Sequence, residues 1–127
     1  MLGDTNAGKT SLVIRFAEGY YRNEGRSSTI GAFFITKRVQ AANGVTCKIQ
    51  IWDTAGQPQF RPMAPMYYKN SAAAIVCYDV TDANSYRIMT EWLDELHRNI
   101  PGKRPLTNDL IMGFVYLGTD TAYVRAL

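Results

Sequence analysis

The sequence predicts an α/β fold, a sheet with helices on both faces, and three observations carry that expectation. Residues 71–80, SAAAIVCYDV, form an almost uninterrupted apolar run, as a parallel strand covered on both sides requires. Residues 33–52 carry β-prone stretches around an Asn43-Gly44 pair, the pattern of a hairpin. Two further segments, 10–20 and the stretch from Asn84 or Ser85 up to Pro101, repeat apolar residues at helical spacing. Strands alternating with helices belong to layered α/β architectures. The chain has 127 residues, which fits one domain. A domain of this size buries roughly two-thirds of the surface its unfolded form exposes.

The elements follow in order. Residues 3–10, GDTNAGKT, are rich in small residues and lead into TSLVIRFAEGY, where Leu12, Val13, Phe16, Ala17 and Tyr20 share one helical face and Gly19 is a stop signal. RNEGRSSTIG, 22–31, is a polar surface loop. Phe33–Gln40 and the return strand VTCKIQIW are joined by Asn43-Gly44, expected as a type I′ turn. On the return strand Val45, Cys47, Ile49 and Ile51 are expected to face the core, with Thr46, Lys48, Gln50 and Trp52 on the polar face. DTAGQPQFRPMAP is too rich in Gly and Pro for a regular element. After the apolar strand, a helix capped by Asn84 or Ser85 carries Ile88, Trp92 and Leu96 on one stripe beside Met89 and Leu93. Pro101-Gly102 ends it, and LIMGFVYLG, 110–118, reads as a further buried strand.

Composition limits the function classes. Apolar residues make up 46% and charged residues 20%, with a net charge of +3 spread along the chain. No basic cluster suggests a nucleic-acid partner. Cys47 and Cys77 each lie in an apolar run and are expected as buried free thiols of a reducing, cytoplasmic compartment. No apolar run approaches the roughly 20 residues of a membrane span. The closing TAYVRAL holds no cysteine for a lipid anchor. His97, the only histidine, has no catalytic partner nearby in sequence and is expected to be structural.

The chemistry sits in two motifs. GDTNAGKT fills every fixed position of G-x-x-x-x-G-K-[ST]. A triphosphate needs a ring of backbone N–H donors, so the chain must wrap closely, which favours glycine at Gly3 and Gly8. Lys9 would neutralise phosphate charge, the Thr10 hydroxyl would ligate Mg²⁺, and the helix N-terminus adds a positive field. DTAG, 53–56, follows a strand; Asp53 would reach the Mg²⁺ shell and the Gly56 amide a γ-phosphate. Gln57 offers a donor and an acceptor, suited to orienting a water.

With GDTNAGKTS, STIGAFF, IWDTAGQ, APMYYKNSAAAIVCYDVTD and EWLDEL, the chain resembles the Ras-superfamily small GTPases of the Rab branch over about residues 2–105. TIGAFF with MAPMYY is most similar to the early-endosomal members. The resemblance implies a P-loop NTPase (small G-protein) fold, a three-layer α/β/α mixed sheet. It implies GTP/GDP and Mg²⁺ as ligands, held by Asp4, Thr5, Asn6, Ala7, Gly8, Lys9, Thr10 and Ser11, by Tyr21 at the guanine, and by Thr29, Asp53 and Gly56. Thr10, Thr29 and Asp53 would serve the metal, Gln57 the attacking water, and residues 54 to about 68 would form the second switch. Phe34, Trp52 and Tyr67 fall where the family keeps an effector-reading aromatic triad, which accounts for Trp52 on a polar face. Exchange factors, activating proteins and effectors are the implied partners. An endosomal membrane is reached through a lipidated tail in a full-length relative.

Several positions depart from the pattern. Thr5 stands beside the γ-phosphate where many relatives have glycine, and Pro58 where the family usually has glutamate, so slow intrinsic turnover is expected. The guanine-reading N-K-x-D is not spelled after LIMGFVYLG; Thr119, Asp120, Thr121 and Ala122 stand there, with Asp120 the one acidic substitute. Residues 106–127 diverge, and only Met1-Leu2 precede the phosphate loop. In this fold that preceding strand is central, flanked by 45–53 and 72–80. The chain therefore reads as a partial domain, 1–127, with its first strand cut and its C-terminal elements missing. A non-hydrolysing interaction protein is the alternative function, and a generic P-loop ATPase or kinase a more distant third.

Overall fold

The computed structural model describes residues 1–20, 28–99, 111–117 and 121–126. Six strands, β1 (Leu2–Gly3), β2 (Ala32–Gln40), β3 (Thr46–Thr54), β4 (Ala74–Asp79), β5 (Ile111–Leu117) and β6 (Thr121–Ala126), alternate with helices α1 (Lys9–Glu18), α2 (Ala64–Tyr68) and α3 (Ala83–Asn99). A 3-10 helix, Pro58–Met63, leads into α2. The α/β expectation holds.

The mixed sheet is present in two parts, ordered β1-β4-β5-β6 and β2-β3. β1 and β5 both run parallel to β4, whereas β6 is antiparallel to β5 and β2 to β3. β1 sits between the parts as expected. On one side Leu2 pairs with Val76 and Gly3 with Cys77. On the other, the Met1 nitrogen donates to the Trp52 carbonyl at 2.7 Å and Thr54 Oγ1 donates to the Met1 carbonyl at 2.7 Å. A two-residue strand offers too few backbone groups to ladder with both neighbours, so side-chain and end-group bonds make the second junction. A Cβ on Gly3 would lie 2.1 Å from the Cys77 carbonyl oxygen. The first glycine of the loop motif is thus also required by the sheet.

The core lies where α2 and α3 cover β1 and β4. Leu2, Ala64, Tyr68, Val76, Met89, Trp92 and Leu96 are buried, with Ile88 and Leu93 packed alongside. The helical stripe predicted for α3 is therefore the observed one. Val76 and Cys77 point to opposite faces and are both 0% exposed, which shows β4 covered on both sides. The α3 cap is corrected. Asp82 Oδ1 accepts the Asn84 amide at 2.9 Å, while Ser85 Oγ turns inward to accept the Asp79 amide at 2.8 Å. His97 is exposed, with Nδ1 2.8 Å from the Leu93 carbonyl.

Four other expectations change. The hairpin turn is not type I′, because Gly44 has φ 82° but Asn43 does not have positive φ. The Gly44 amide closes a four-residue turn on the Ala41 carbonyl at 2.9 Å, and the Ala41 amide bonds the Val45 carbonyl at 2.8 Å. This is a three-residue loop with a left-handed glycine making the bulge. Val45, Cys47 and Ile49 are exposed rather than core; among the described residues β3 ladders with β2 alone. On α1 only Val13 of the predicted stripe is fully buried. Phe16 and Tyr20 are exposed, and the Lys37 ammonium lies 4.9 Å from the Phe16 ring. Finally, the Pro-rich segment after Asp53 is helical, since Pro58 takes the first helical position, where its missing N–H is not needed.

The two thiols differ accordingly. Cys47 is exposed, whereas burial pushes the Cys77 thiol up to about 12. At pH 8 the folded chain is expected to take one equivalent of a thiol reagent, at Cys47, and the unfolded chain two. Rapid labelling of both in the native state would contradict the burial of β4.

Candidate functional site

The site forms where β1, the 3–8 loop, α1 and the end of β3 meet. The loop is bent by Asn6 at φ 63° and Gly8 at φ 81°, and Gly8 is the N-cap of α1. Asn tolerates this left-handed region better than most residues, which suits it to the exposed apex. Asp4 Oδ1 accepts the Thr5 amide at 2.7 Å, Ala7 is buried, and Ser11 continues the first turn of α1.

Lys9 is buried and folds back over the loop. Its Nζ donates to the Gly3 carbonyl at 3.0 Å and to the Asp4 carbonyl at 2.5 Å. Among the described residues no carboxylate forms an ion pair with it. Burial lowers its pKa from the ordinary lysine value, opposed by Cys77, Asp53 and Asp4. A buried ammonium bonded only to carbonyls is a cation prepared for an anion.

Opposite lies a file of oxygens. Thr10 Oγ1 donates to Asp53 Oδ2 at 2.6 Å and lies 2.7 Å from Thr29 Oγ1. Because the Thr10 proton goes to Asp53, the Thr29 hydroxyl donates to Thr10. Asp53 is 0% exposed, and its second oxygen, Oδ1, is buried with no hydrogen-bond partner. Burial raises the Asp53 pKa, against the Thr10 hydrogen bond and the Lys9 charge. Two hydroxyls and a carboxylate with an unsatisfied oxygen make a hard-oxygen donor set that fits Mg²⁺. These residues come from three separate stretches of chain, and the fold brings them together.

The segment after Asp53 closes against the loop. The Ala55 amide donates to the Gly31 carbonyl at 2.7 Å, tying this segment to the stretch after Thr29. A Cβ on Gly56 would lie 2.3 Å from the Asp4 carbonyl carbon and from the Thr5 nitrogen. Gln57 is the extended N-cap of the 3-10 helix, as the following proline dictates. Its Oε1 accepts from Gln59 Nε2 at 3.3 Å.

Phe34, Trp52 and Tyr67 make tilted ring contacts in succession, with centroids 4.8 Å and 5.1 Å apart and planes inclined by 45° and 37°. Phe34 is 44% and Trp52 40% exposed. Trp52 thus packs between neighbours and still presents surface. Tyr21 and Asp120 lie outside the described residues. Residues that the motifs did not reveal are Arg61, Glu91 and Glu95: Arg61 joins both glutamates. The i, i+4 spacing of the two acids beside Trp92 was the available signal.

The Ras family model matches residues 1–115. The chain belongs to the Ras family. Among curated relatives of this Ras-family chain, the GTP-binding protein YPT53 of Saccharomyces cerevisiae is 45% identical over 100 residues, covering 79% of the chain and 44% of the yeast protein. Ras-related protein Rab-31 of Mus musculus is 46% identical over 101 residues, covering 80% and 51%. Ras-like GTP-binding protein RYL2 of Yarrowia lipolytica is 44% identical over 125 residues, covering 98% and 55%. The chain spans about half the length of the curated relatives it matches.

Proposed function

We propose that this chain carries the phosphate-binding and switch elements of a Rab-type molecular switch that binds GTP, hydrolyses it to GDP and regulates endosomal membrane traffic. The observation that carries the proposal is the convergence of Thr29, Thr10 and Asp53 beside the buried Lys9, with one Asp53 oxygen unsatisfied. The printed names of YPT53 and RYL2 as GTP-binding proteins support it.

Each residue has a part. The backbone of residues 4–8 and the N-terminus of α1 cradle the phosphates. Lys9 turns its ammonium from the loop carbonyls to β- and γ-phosphate oxygens. Thr10, Thr29 and Asp53 would hold Mg²⁺, which would supply positive charge against the triphosphate. Gly56 brings its amide to the γ-phosphate, which only a residue without a side chain permits at this approach. Gln57 orients a water for in-line attack on the γ-phosphorus, and the bond to the bridging oxygen of GDP breaks. Phe34, Trp52 and Tyr67 form the surface read by effectors, while exchange factors and activating proteins set the cycle. The place of action is cytoplasmic, at an endosomal membrane reached through a lipidated tail of the full-length protein.

The exposed triad favours a second reading, an interaction protein that presents this surface without turning over nucleotide. Phosphate release from GTP in Mg²⁺ separates the two. We expect slow release that Gln57→Leu reduces by roughly tenfold or more. Absence of any release above buffer would favour the interaction protein. Gln57 has extended backbone before Pro58, and Thr5 belongs to the phosphate loop. The double variant Thr5→Gly, Pro58→Glu is therefore expected to hydrolyse GTP faster than the parent. An equal or slower rate would show that these two departures do not limit turnover.

A further inference from the structure

The segment after Gln57 is tied to α3 by side chains that the phosphate chemistry does not use. Arg61, inside the 3-10 helix, donates from Nε to Glu95 Oε2 at 3.1 Å and from Nη1 to Glu91 Oε2 at 2.8 Å. Its guanidinium carbon lies 4.6 Å from the Trp92 ring centroid. Tyr68, the last residue of α2, donates its hydroxyl to Glu95 Oε1 at 3.1 Å. Both oxygens of Glu95 therefore hold the same segment, at positions 61 and 68. Glu91 is steadied on its other oxygen by Arg87, which also donates to Asn84.

Isolated surface ion pairs contribute little, but this arrangement differs in two ways. The planar guanidinium engages two carboxylates at once while lying on an aromatic face, so its orientation is fixed on three sides. The Glu95 side chain is only 17% exposed, so solvent and salt screen it less than an open pair. The connection to Gln57 is short. The Gln57 carbonyl accepts the Phe60 amide at 3.0 Å, and Arg61 is the next residue. α3 in turn packs on β1 and β4, from which the phosphate loop springs.

We propose that Arg61 is a positioning residue for Gln57: with Glu91, Glu95 and Trp92 it latches the 3-10 helix onto α3 and so fixes where Gln57 stands relative to the phosphate loop. The proposal rests on the hydrolytic reading of the site given above. The latch uses none of the residues assigned above to the phosphates or the metal. Its loss acts on turnover and on the mobility of the segment, and not on affinity.

The test compares the parent with Arg61→Ala, Arg61→Lys and Glu91→Gln by amide hydrogen exchange without nucleotide, by GTP affinity and by single-turnover hydrolysis. Arg61→Ala is expected to raise exchange across residues 57–64 by roughly tenfold while α1 is unchanged. It should slow hydrolysis by roughly 10- to 100-fold with affinity held within about threefold. Arg61→Lys restores the charge but not the fork, and should recover part of both effects. If Arg61→Ala does not fold, Glu91→Gln, which removes one outer partner, is expected to show the same pattern at smaller size. Unchanged exchange at 57–64 in a folded variant overturns the latch. Raised exchange with unchanged hydrolysis overturns the positioning role. A parent that hydrolyses no GTP overturns that role together with the functional reading, and exchange then reports on the latch alone.

Discussion

Lys9→Met is expected to weaken nucleotide binding by roughly 100-fold or more while leaving the fold in place. The ammonium is the buried positive charge of the site, and its partners in the structure are the Gly3 and Asp4 carbonyls. Hydrogen bonds to charged groups contribute about 1.5–3 kcal/mol each, so losing those to two phosphate groups amounts to at least two orders of magnitude. The fold survives because the change also removes the cost of burying a charge that has no carboxylate in contact. A pH signature separates this from general damage. Burial lowers the folded pKa of Lys9 below its ordinary value of 10.5. Between the two, the unfolded chain binds more protons than the folded one, so this group's contribution to stability rises with pH. Lys9→Met removes that rise. The urea midpoint of the parent should therefore gain on the variant's as the pH rises towards 10.5. A variant that binds nucleotide as the parent does would deny Lys9 its role.

Gly56→Ala should separate the two nucleotide states. The added methyl would meet backbone atoms of Asp4 and Thr5 at 2.3 Å, and no side-chain rotation relieves that overlap. Gly56 itself does not have positive φ, so alanine is acceptable once the 55–57 segment lifts from the loop. Carbon atoms do not sit that close to backbone atoms, so the segment lifts from the loop. GDP binding is expected to change by less than about fivefold, whereas single-turnover hydrolysis of GTP falls by roughly tenfold or more. The check is to measure both on one preparation. Equal loss of GDP and GTP binding would mean that the substitution damages the loop itself.

How much of this was legible in sequence depends on how local each cause is. GDTNAGKT and DTAGQ carry their chemistry in contiguous residues, so the loop and the neighbourhood of Asp53 were legible. So were β4 and the α3 stripe, where period and burial agree. The left-handed Gly44 was expected, but whether it follows a two- or three-residue loop is decided by the register of β2 on β3, which Asn-Gly alone does not fix. Cys47 and Ile49 alternate correctly for a buried face. Their exposure is decided by other segments, which alternation along one strand does not report. β6 was missed for a similar reason, since its ladder to β5 is a tertiary pairing. The helical turns at 58–68 were hidden by their prolines: Pro58 starts the 3-10 helix, but Pro62 lies inside it, where a proline ordinarily argues against a helix. The Arg61 latch joins residues 30 and 34 positions apart; the i, i+4 spacing of Glu91 and Glu95 is local, but nothing near it in sequence names Arg61 as the partner.

We propose that a nucleotide is held by its phosphates, through the loop, Lys9 and the Thr10–Thr29–Asp53 oxygens. Titration of the purified chain with fluorescent GDP, GTP and ATP in Mg²⁺ tests it most directly. Micromolar or tighter binding of GDP and GTP is the expected result. Binding of ATP as tight as GTP would reduce the site to a generic phosphate loop, and no binding of any of the three would contradict the account.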